Sequence, residues 1–188
     1  MRIGVLTLQG AFAEHIAKLK QMGADAFEIR QLKDISIHFD GLILPGGEST
    51  AIRKLLSDLS LYKPLKEMIQ NGLPVFGTCA GMILLAKEIE GENPCFGTID
   101  MTVKRNAYGR QLGSFRCIDA FAGKETEMPF IRAPYAERIG EKVAVLSKHE
   151  DKIVAVKQEN QLATAFHPEL TNDTAVYEYF IKMIEKRR

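Results

Sequence analysis

VFGTCAGM, residues 75–82, is the most informative stretch for the fold, because an apolar run, a turn and a helix start follow one another there. The apolar run predicts a buried strand, and residues 82–89 predict the helix that follows. Gly77 and Gly81 flank Cys79 in a Gly-x-nucleophile-x-Gly pattern, which suits a sharp turn whose backbone is crowded at both glycines. Cys79 is therefore either a small packing residue or a nucleophile at a helix N-terminus, where the positive dipole end favours a thiolate.

The same alternation of apolar runs and helical patterns extends through the first half of the chain, and after Gly91 it changes to strands of period two. Strands are predicted at 3–8, 26–29, 42–44, 73–76, 101–104, 114–118, 143–146, 153–156 and 162–166, with a hairpin turn at 148–151. A final helix carries Val176 and Phe180 on one face. These patterns predict an α/β fold: one domain, residues 1–188, in which a mixed, mostly parallel sheet has helices on both faces.

Composition narrows the classes of function. The chain has 188 residues, and its 25 Lys and Arg nearly balance 24 Asp and Glu, with no basic run among aromatics, so we expect no nucleic-acid partner. The longest nearly apolar stretch, 73–86, is too short to span a membrane, so we expect no membrane association. Three cysteines without a CxxC pair favour a reducing, cytoplasmic location over disulfides or zinc, and we predict neither metal nor cofactor.

A nucleophilic cysteine needs a base, and His167-Pro168-Glu169 follows a predicted buried strand directly. Proline favours an extended conformation for its predecessor, so Glu169 can hold one imidazole nitrogen while the other faces Cys79. Alone, this tripeptide favours an exposed loop with an ordinary His and Glu pair. Together with the turn at Cys79, it favours a Cys-His-Glu triad. The other histidines are predicted to be solvated: His15 on a polar helix face, His38 and His149.

The stretch LPGGEST, residues 44–50, ends another predicted parallel strand and opens a helix. Its paired glycines let backbone N–H groups approach a bound oxygen, so the loop is a candidate oxyanion donor together with the N–H of Ala80. A tight turn in which Ser49 or Thr50 caps the helix is the alternative interpretation.

In combination, these motifs resemble the triad, or class I, glutamine amidotransferases, whose fold is flavodoxin-like. Further stretches resemble one branch, the PdxT-type glutaminase subunits of pyridoxal 5′-phosphate synthase: LQGA (8–11), VKRNAYGRQ (103–111), FIRAP (130–134) and FHPEL (166–170).

The resemblance implies Cys79 as nucleophile, with His167 and Glu169 completing the catalytic triad. It also implies a set of residues that bind L-glutamine or its oxyanion: Gly46, Gly47, Glu48, Ala80, Arg105, Ile131 and Arg132. Without the resemblance, the two arginines would be interpreted as surface charges.

The resemblance further implies hydrolysis of glutamine to glutamate and ammonia, with ammonia delivered to a PdxS-type (β/α)-barrel synthase subunit in a hetero-oligomer. Three alternatives remain open at this point. The chain could be the glutaminase subunit of imidazole glycerol phosphate or anthranilate synthesis, a cysteine-based redox or stress sensor, or a binding subunit without turnover.

Overall fold

The structure is a computed structural model that describes residues 1–105 and 113–187. Helices and strands alternate along this part of the chain. The helices are α1 (Phe12–Gln21), α2 (Ser49–Asp58), α3 (Tyr62–Gln70), α4 (Ala80–Leu85) and α5 (Ala175–Glu185). The strands are β1 (Arg2–Leu6), β2 (Asp25–Ile29), β3 (Gly41–Leu44), β4 (Val75–Thr78), β5 (Ala86–Ile89), β6 (Ile99–Lys104), β7 (Ser114–Phe121), β8 (Lys124–Ile131), β9 (Tyr135–Ile139), β10 (Ala144–His149), β11 (Lys152–Gln158) and β12 (Gln161–Thr164).

The main sheet has the order β2-β1-β3-β4-β12-β11-β9-β6-β5, with β10 paired to β11. From β2 to β12 all neighbours are parallel, whereas β11 is antiparallel to β12, β10 and β9. Strands β7 and β8 form a separate antiparallel ribbon. The predicted mixed, mostly parallel sheet is therefore confirmed.

Two neighbouring residues of β4 show that helices cover both faces, because successive side chains of a strand point to opposite sides. The ring of Phe76 makes edge contacts with His15 of α1 and Tyr177 of α5. On the other side, a methyl group at Gly77 would lie 3.0 Å from Leu85 of α4. The prediction of helices on both faces is thus confirmed. Among the helices of the described chain, none combines the length and the apolar character needed to cross a membrane.

Some local predictions were wrong. The helix predicted over 82–89 ends at Leu85, and the next four residues form β5, which pairs in parallel with β6. Apolar periodicity alone cannot distinguish a short helix from a strand there, and the partner strand decides the outcome. Strands β8 and β9 were not predicted, because KETEMPFI and YAERI carry charges and a proline that weaken the strand pattern. The hairpin predicted at 148–151 is present, with its turn narrowed to residues 150–151.

Candidate active site

Cys79 lies on the sharp turn that the sequence predicts. Its backbone has φ +48° and ψ −98°, a conformation that L-residues rarely adopt and that is typical of strained functional positions. The N–H of Cys79 donates to the carbonyl oxygen of Thr164 over 2.8 Å, which joins the turn to the end of β12. Only 8% of the residue is exposed, so its thiol has a restricted approach.

The loops of the site follow the carboxyl ends of four neighbouring parallel strands, the edge where open α/β sheets bind ligands. Gln9 follows β1, Gly46 follows β3, Cys79 follows β4 and His167 follows β12. Together they line a cavity of about 690 Å³. Strand order therefore brings together side chains that are far apart in the sequence.

His167 and Glu169 form the predicted pair. Nδ1 of His167 lies 2.7 Å from Oε1 of Glu169, and both residues are almost completely buried. The backbone N–H of His167 donates to Pro129 of β8 over 2.8 Å, which fixes the loop that carries the ring. Pro168 opens a short 3-10 helix, Pro168–Leu170, rather than an extended segment, and this helix turns Glu169 back towards the ring.

Cys79 and Gly46 complete the surroundings of the imidazole. The side chain of Cys79 lies close enough to the imidazole of His167 to raise its pKa. A methyl group at Gly46 would lie 2.9 Å from Nδ1 of His167 and 3.4 Å from Cβ of Cys79. Glycine is therefore required at position 46 for the loop after β3 to pass over the thiol and the ring.

The charges around His167 favour its protonated form. Burial by itself lowers the pKa of His167, but its interactions with Cys79 and with the hydrogen-bonded carboxylate of Glu169 outweigh burial and raise it to about 10. Burial likewise raises the pKa of Glu169, whereas His15 and then His167 lower it, with a net fall below the ordinary value. Glu169 is thus held as a carboxylate beside a protonated ring.

Residues 5–186 match the model of the SNO glutamine amidotransferase family. The chain belongs to this family. Its similarity to individual members covers nearly the whole length. The pyridoxal 5′-phosphate synthase subunit PdxT of Methanocorpusculum labreanum is 56% identical over 185 residues, covering 98% of each chain. The subunit of the same name from Haemophilus influenzae (strain PittEE) is 52% identical over 186 residues, covering 96% of this chain and 97% of the other.

A solved structure described as a glutamine amidotransferase superposes with a TM-score of 0.92 at 43% identity, covering 97% of this chain and 98% of that one. These similarities confirm the predicted family, its PdxT-type branch and the amidotransferase fold.

Most of the residues that the family resemblance implied for the amidotransferase site line the cavity: Gly46, Gly47, Glu48, Cys79, Arg105, Ile131, Arg132 and His167. Ala80 begins α4 immediately after Cys79, so its N–H is among those that have no partner within the helix. Glu169 lies behind His167. The structure thus brings the predicted set together, while binding of glutamine by these residues stays a prediction.

Arg105 is held by acidic neighbours at the mouth of the cavity. Its Nη2 donates to Oε1 of Glu48 and to Oγ of Ser49, each over 2.9 Å, and its Nη1 bonds Glu92. Glu92 in turn lies 3.7 Å from Arg53. Of the VKRNAYGRQ motif, residues 106–111 lie outside the described part of the chain.

Glu48 rather than Ser49 or Thr50 caps α2, because its carboxylate accepts from the N–H and the hydroxyl of Thr50. Burial by itself raises the pKa of Glu48, but the bonds from Thr50 and Arg105 together outweigh burial and lower it. Glu48 therefore stays ionised and keeps Arg105 beside the cavity.

Ile131 and Arg132 enter the site from the end of the β7–β8 ribbon. The carbonyl oxygen of Ile131 lies 3.9 Å from Sγ of Cys79, within reach of the thiol proton. Arg132 has φ +42°, a left-handed conformation that sets the direction in which the chain leaves β8.

Sequence reasoning gave Gln9, Gly10 and Ala11 no role, although they also line the cavity. Oε1 of Gln9 accepts from the N–H of Glu48 over 2.6 Å, and the N–H of Ala11 donates to Gly46 over 3.0 Å. The LQGA motif at the end of the first strand was a signal for this contact.

Two predictions for histidines were wrong. His15 is completely buried, and His149 lies against the rings of Phe115 and Phe130 beside Asp119. A polar residue type indicates exposure only where no other element covers the side chain, and here distant elements of the fold cover both rings. His38 is exposed, as predicted.

Proposed function

We propose that this chain is the glutaminase subunit of a pyridoxal 5′-phosphate synthase and hydrolyses L-glutamine to glutamate and ammonia with Cys79, His167 and Glu169. The observation that carries the proposal is the position of Cys79 on a strained turn, against a buried His167 whose Nδ1 is 2.7 Å from Glu169. Membership of the SNO family and full-length similarity to subunits named PdxT support it.

In the first half of the reaction, the sulfur of Cys79 attacks the side-chain amide carbon of glutamine, and the carbonyl oxygen becomes an oxyanion. The C–N bond then breaks, and His167 gives its proton to the departing nitrogen, which leaves as ammonia. A pKa near 10 suits this role, because the ring carries a proton at neutral pH. The enzyme is left as a γ-glutamyl thioester.

In the second half, neutral His167 takes a proton from water, and the resulting hydroxide attacks the thioester carbon. The C–S bond breaks, glutamate leaves, and sulfur and imidazole return to their starting states. Glu169 holds Nδ1 throughout, so the other ring nitrogen stays directed at the reacting atoms.

The oxyanion receives two backbone donors in this proposal, the N–H groups of Ala80 and Gly47. Ala80 lies at the start of α4, where N–H groups have no helical acceptor and the dipole favours negative charge. The bond from Ala11 to the carbonyl of Gly46 fixes the peptide plane that contains the N–H of Gly47. Because that peptide is trans, its N–H points away from Ala11. Removing one such donor typically costs roughly a hundredfold to a thousandfold in rate.

The product explains the need for a partner. Near neutral pH, free ammonia is largely converted to ammonium, which is not a nucleophile, so ammonia is useful only if it passes directly to a synthase. We propose a PdxS-type (β/α)-barrel subunit as that partner, because subunits named PdxT belong to pyridoxal 5′-phosphate synthases.

The test is glutamate release from glutamine by the chain, alone and with a PdxS-type synthase. We expect stimulation by the synthase and loss of activity in Cys79→Ala. Cys117→Ala is the matched control, because Cys117 lies on β7, outside the cavity lining. Glutamate release that survives in Cys79→Ala would refute the assignment of Cys79 as the nucleophile. If only a different synthase stimulated the chain, glutamine hydrolysis would remain supported, but the assignment to pyridoxal 5′-phosphate synthesis would be wrong.

A further inference from the structure

A second buried histidine lies behind the triad. Nε2 of His15 is 3.6 Å from Oε2 of Glu169, the carboxylate oxygen that does not face His167, and both side chains are fully buried. Within the described residues, that oxygen has no hydrogen-bond partner. A buried carboxylate oxygen without a donor is costly, so the group that faces it is significant.

The other contacts of His15 restrict where its proton lies. Nδ1 is 2.6 Å from the phenol oxygen of Tyr177, and Nε2 is 3.2 Å from the hydroxyl oxygen of Thr78. Burial lowers the pKa of His15 and outweighs the attraction of Glu169, so the ring is neutral and has one N–H. Burial also keeps Tyr177 a neutral phenol, because it raises the pKa of that group well above its ordinary value.

Only one tautomer avoids repulsion between the ring and the carboxylate of Glu169. If Nδ1 carried the proton, the lone pair of Nε2 would face the carboxylate and the two would repel each other. If Nε2 carries it, the N–H faces Glu169 and Thr78, while Nδ1 accepts the proton of Tyr177. The charged or polar groups that face the ring also include His167 and, on the same helix, Glu14.

We propose that Tyr177 and His15 are positioning residues for Glu169, and this inference rests on the proposed glutaminase function. The phenol of Tyr177 holds His15 in the Nε2–H tautomer. The Nε2–H, which bonds Thr78, then presents its positive end to Oε2 of Glu169 at 3.6 Å, and this electrostatic contact leaves Oε1 directed at His167. Helix α5 near the C-terminus thereby sets the orientation of the catalytic imidazole, although it contributes no residue to the cavity lining.

Tyr177→Phe removes the donor and keeps the ring. We expect kcat for glutamine hydrolysis in the complex with the synthase to fall roughly threefold to tenfold, the loss of one hydrogen bond, with KM unchanged. Tyr179→Phe is the matched control, because it removes a hydroxyl from the same helix, where the Tyr179 ring packs on Phe121 instead of His15.

A double-mutant cycle separates positioning from a general loss of stability. In a Glu169→Gln background, Tyr177→Phe should have no further effect on the rate at which 6-diazo-5-oxo-L-norleucine alkylates Cys79. This readout needs no synthase. If Tyr177→Phe lowered the alkylation rate by the same factor in the wild-type and the Glu169→Gln backgrounds, the inference would be overturned, because Tyr177 would then not act through Glu169.

The tautomer can also be observed directly. In ¹⁵N NMR spectra of the histidine-labelled chain, we expect His15 as the Nε2–H form. An Nδ1–H form in the wild-type chain would overturn the inference even if Tyr177→Phe failed to fold.

The failure of this inference can be distinguished from the failure of the proposed function. If Cys79→Ala stays active, the proposed function is wrong. If it is inactive while Tyr177→Phe behaves like Tyr179→Phe, only the present inference is wrong.

Discussion

Gly81 of α4 lies directly against Leu44, where α4 crosses the end of β3. A methyl group at Gly81 would overlap the carbonyl oxygen of Leu44 and lie 2.9 Å from its carbonyl carbon. Backbone atoms of a central strand cannot move aside as a flexible side chain can. We therefore expect Gly81→Ala to lower the free energy of unfolding by about 1–3 kcal/mol, measured by urea denaturation.

Gly113→Ala is the control for this substitution, because a methyl group there meets no atom of residues 1–105 or 113–187 within 4 Å and the backbone is not in the left-handed region. Its unfolding midpoint should match that of the wild type. Equal midpoints for the two variants would contradict the crowding argument.

The backbone strain at Cys79 predicts a difference in stability between two substitutions at this position. Cys79→Ala and Cys79→Gly both remove the sulfur, but only glycine adopts φ +48° and ψ −98° without strain. Relief of strain worth roughly 1–3 kcal/mol exceeds the entropic cost of glycine, so Cys79→Gly should be the more stable by about 1 kcal/mol. Ala120→Gly, in the extended strand β7, should instead destabilise the chain by roughly 0.5–1 kcal/mol. Thermal unfolding of the three variants checks the signs.

The ion pair between Glu92 and Arg105 predicts an effect of Glu92 on glutamine binding rather than on turnover. Glu92→Gln keeps the side-chain size but removes the charge that holds the guanidinium beside Glu48. We expect KM for glutamine to rise roughly threefold to tenfold with little change in kcat, in assays with the synthase present. Glu90→Gln is the control, because exposed Glu90 pairs with Lys104 instead. The same KM in both variants would show that Glu92 does not support the site.

The imidazole of His167 should titrate near pH 10, well above its ordinary 6.5. Glu169→Gln removes a hydrogen bond and a charge that raise this pKa, so the pKa should fall, whereas exposed Glu178→Gln should leave it unchanged. Because the pKa is higher in the folded chain, protonated His167 stabilises the fold. That contribution is complete below about pH 6.5 and is lost as the pH rises through about 10. ¹⁵N NMR titration measures the shift, and an unchanged pKa in Glu169→Gln would contradict the assignment.

The sequence predicted the parallel half of the fold well, because its central strands β3 and β4 are apolar on both faces and lead into glycine-containing turns. The Gly77–Gly81 pattern and His167-Pro168-Glu169 predicted the positions of the site for the same local reason. Arg105, Ile131 and Arg132 came from family resemblance, since an arginine or isoleucine beside a strand carries no local sign of a binding role. Organisation as one domain, and the roles of all the site residues, stay predictions.

Features that depend on distant contacts were not predictable from local pattern. His15 has the residue type of a solvated helix face, yet Tyr177 and Thr78 enclose it from elements far along the chain. The sequence of β5 predicts the end of a helix, and only its pairing with β6 makes it a strand. Tertiary context decided each of these cases.

The position of β12 in the sheet has a consequence for biosynthesis of the chain. This strand, Gln161–Thr164, pairs with β4 and leads directly to His167, so the proposed base joins Cys79 only after β12 has been synthesised. The turn at Cys79 is translated far earlier. A nascent chain that has not yet reached β12 therefore carries the thiol of Cys79 without its proposed base.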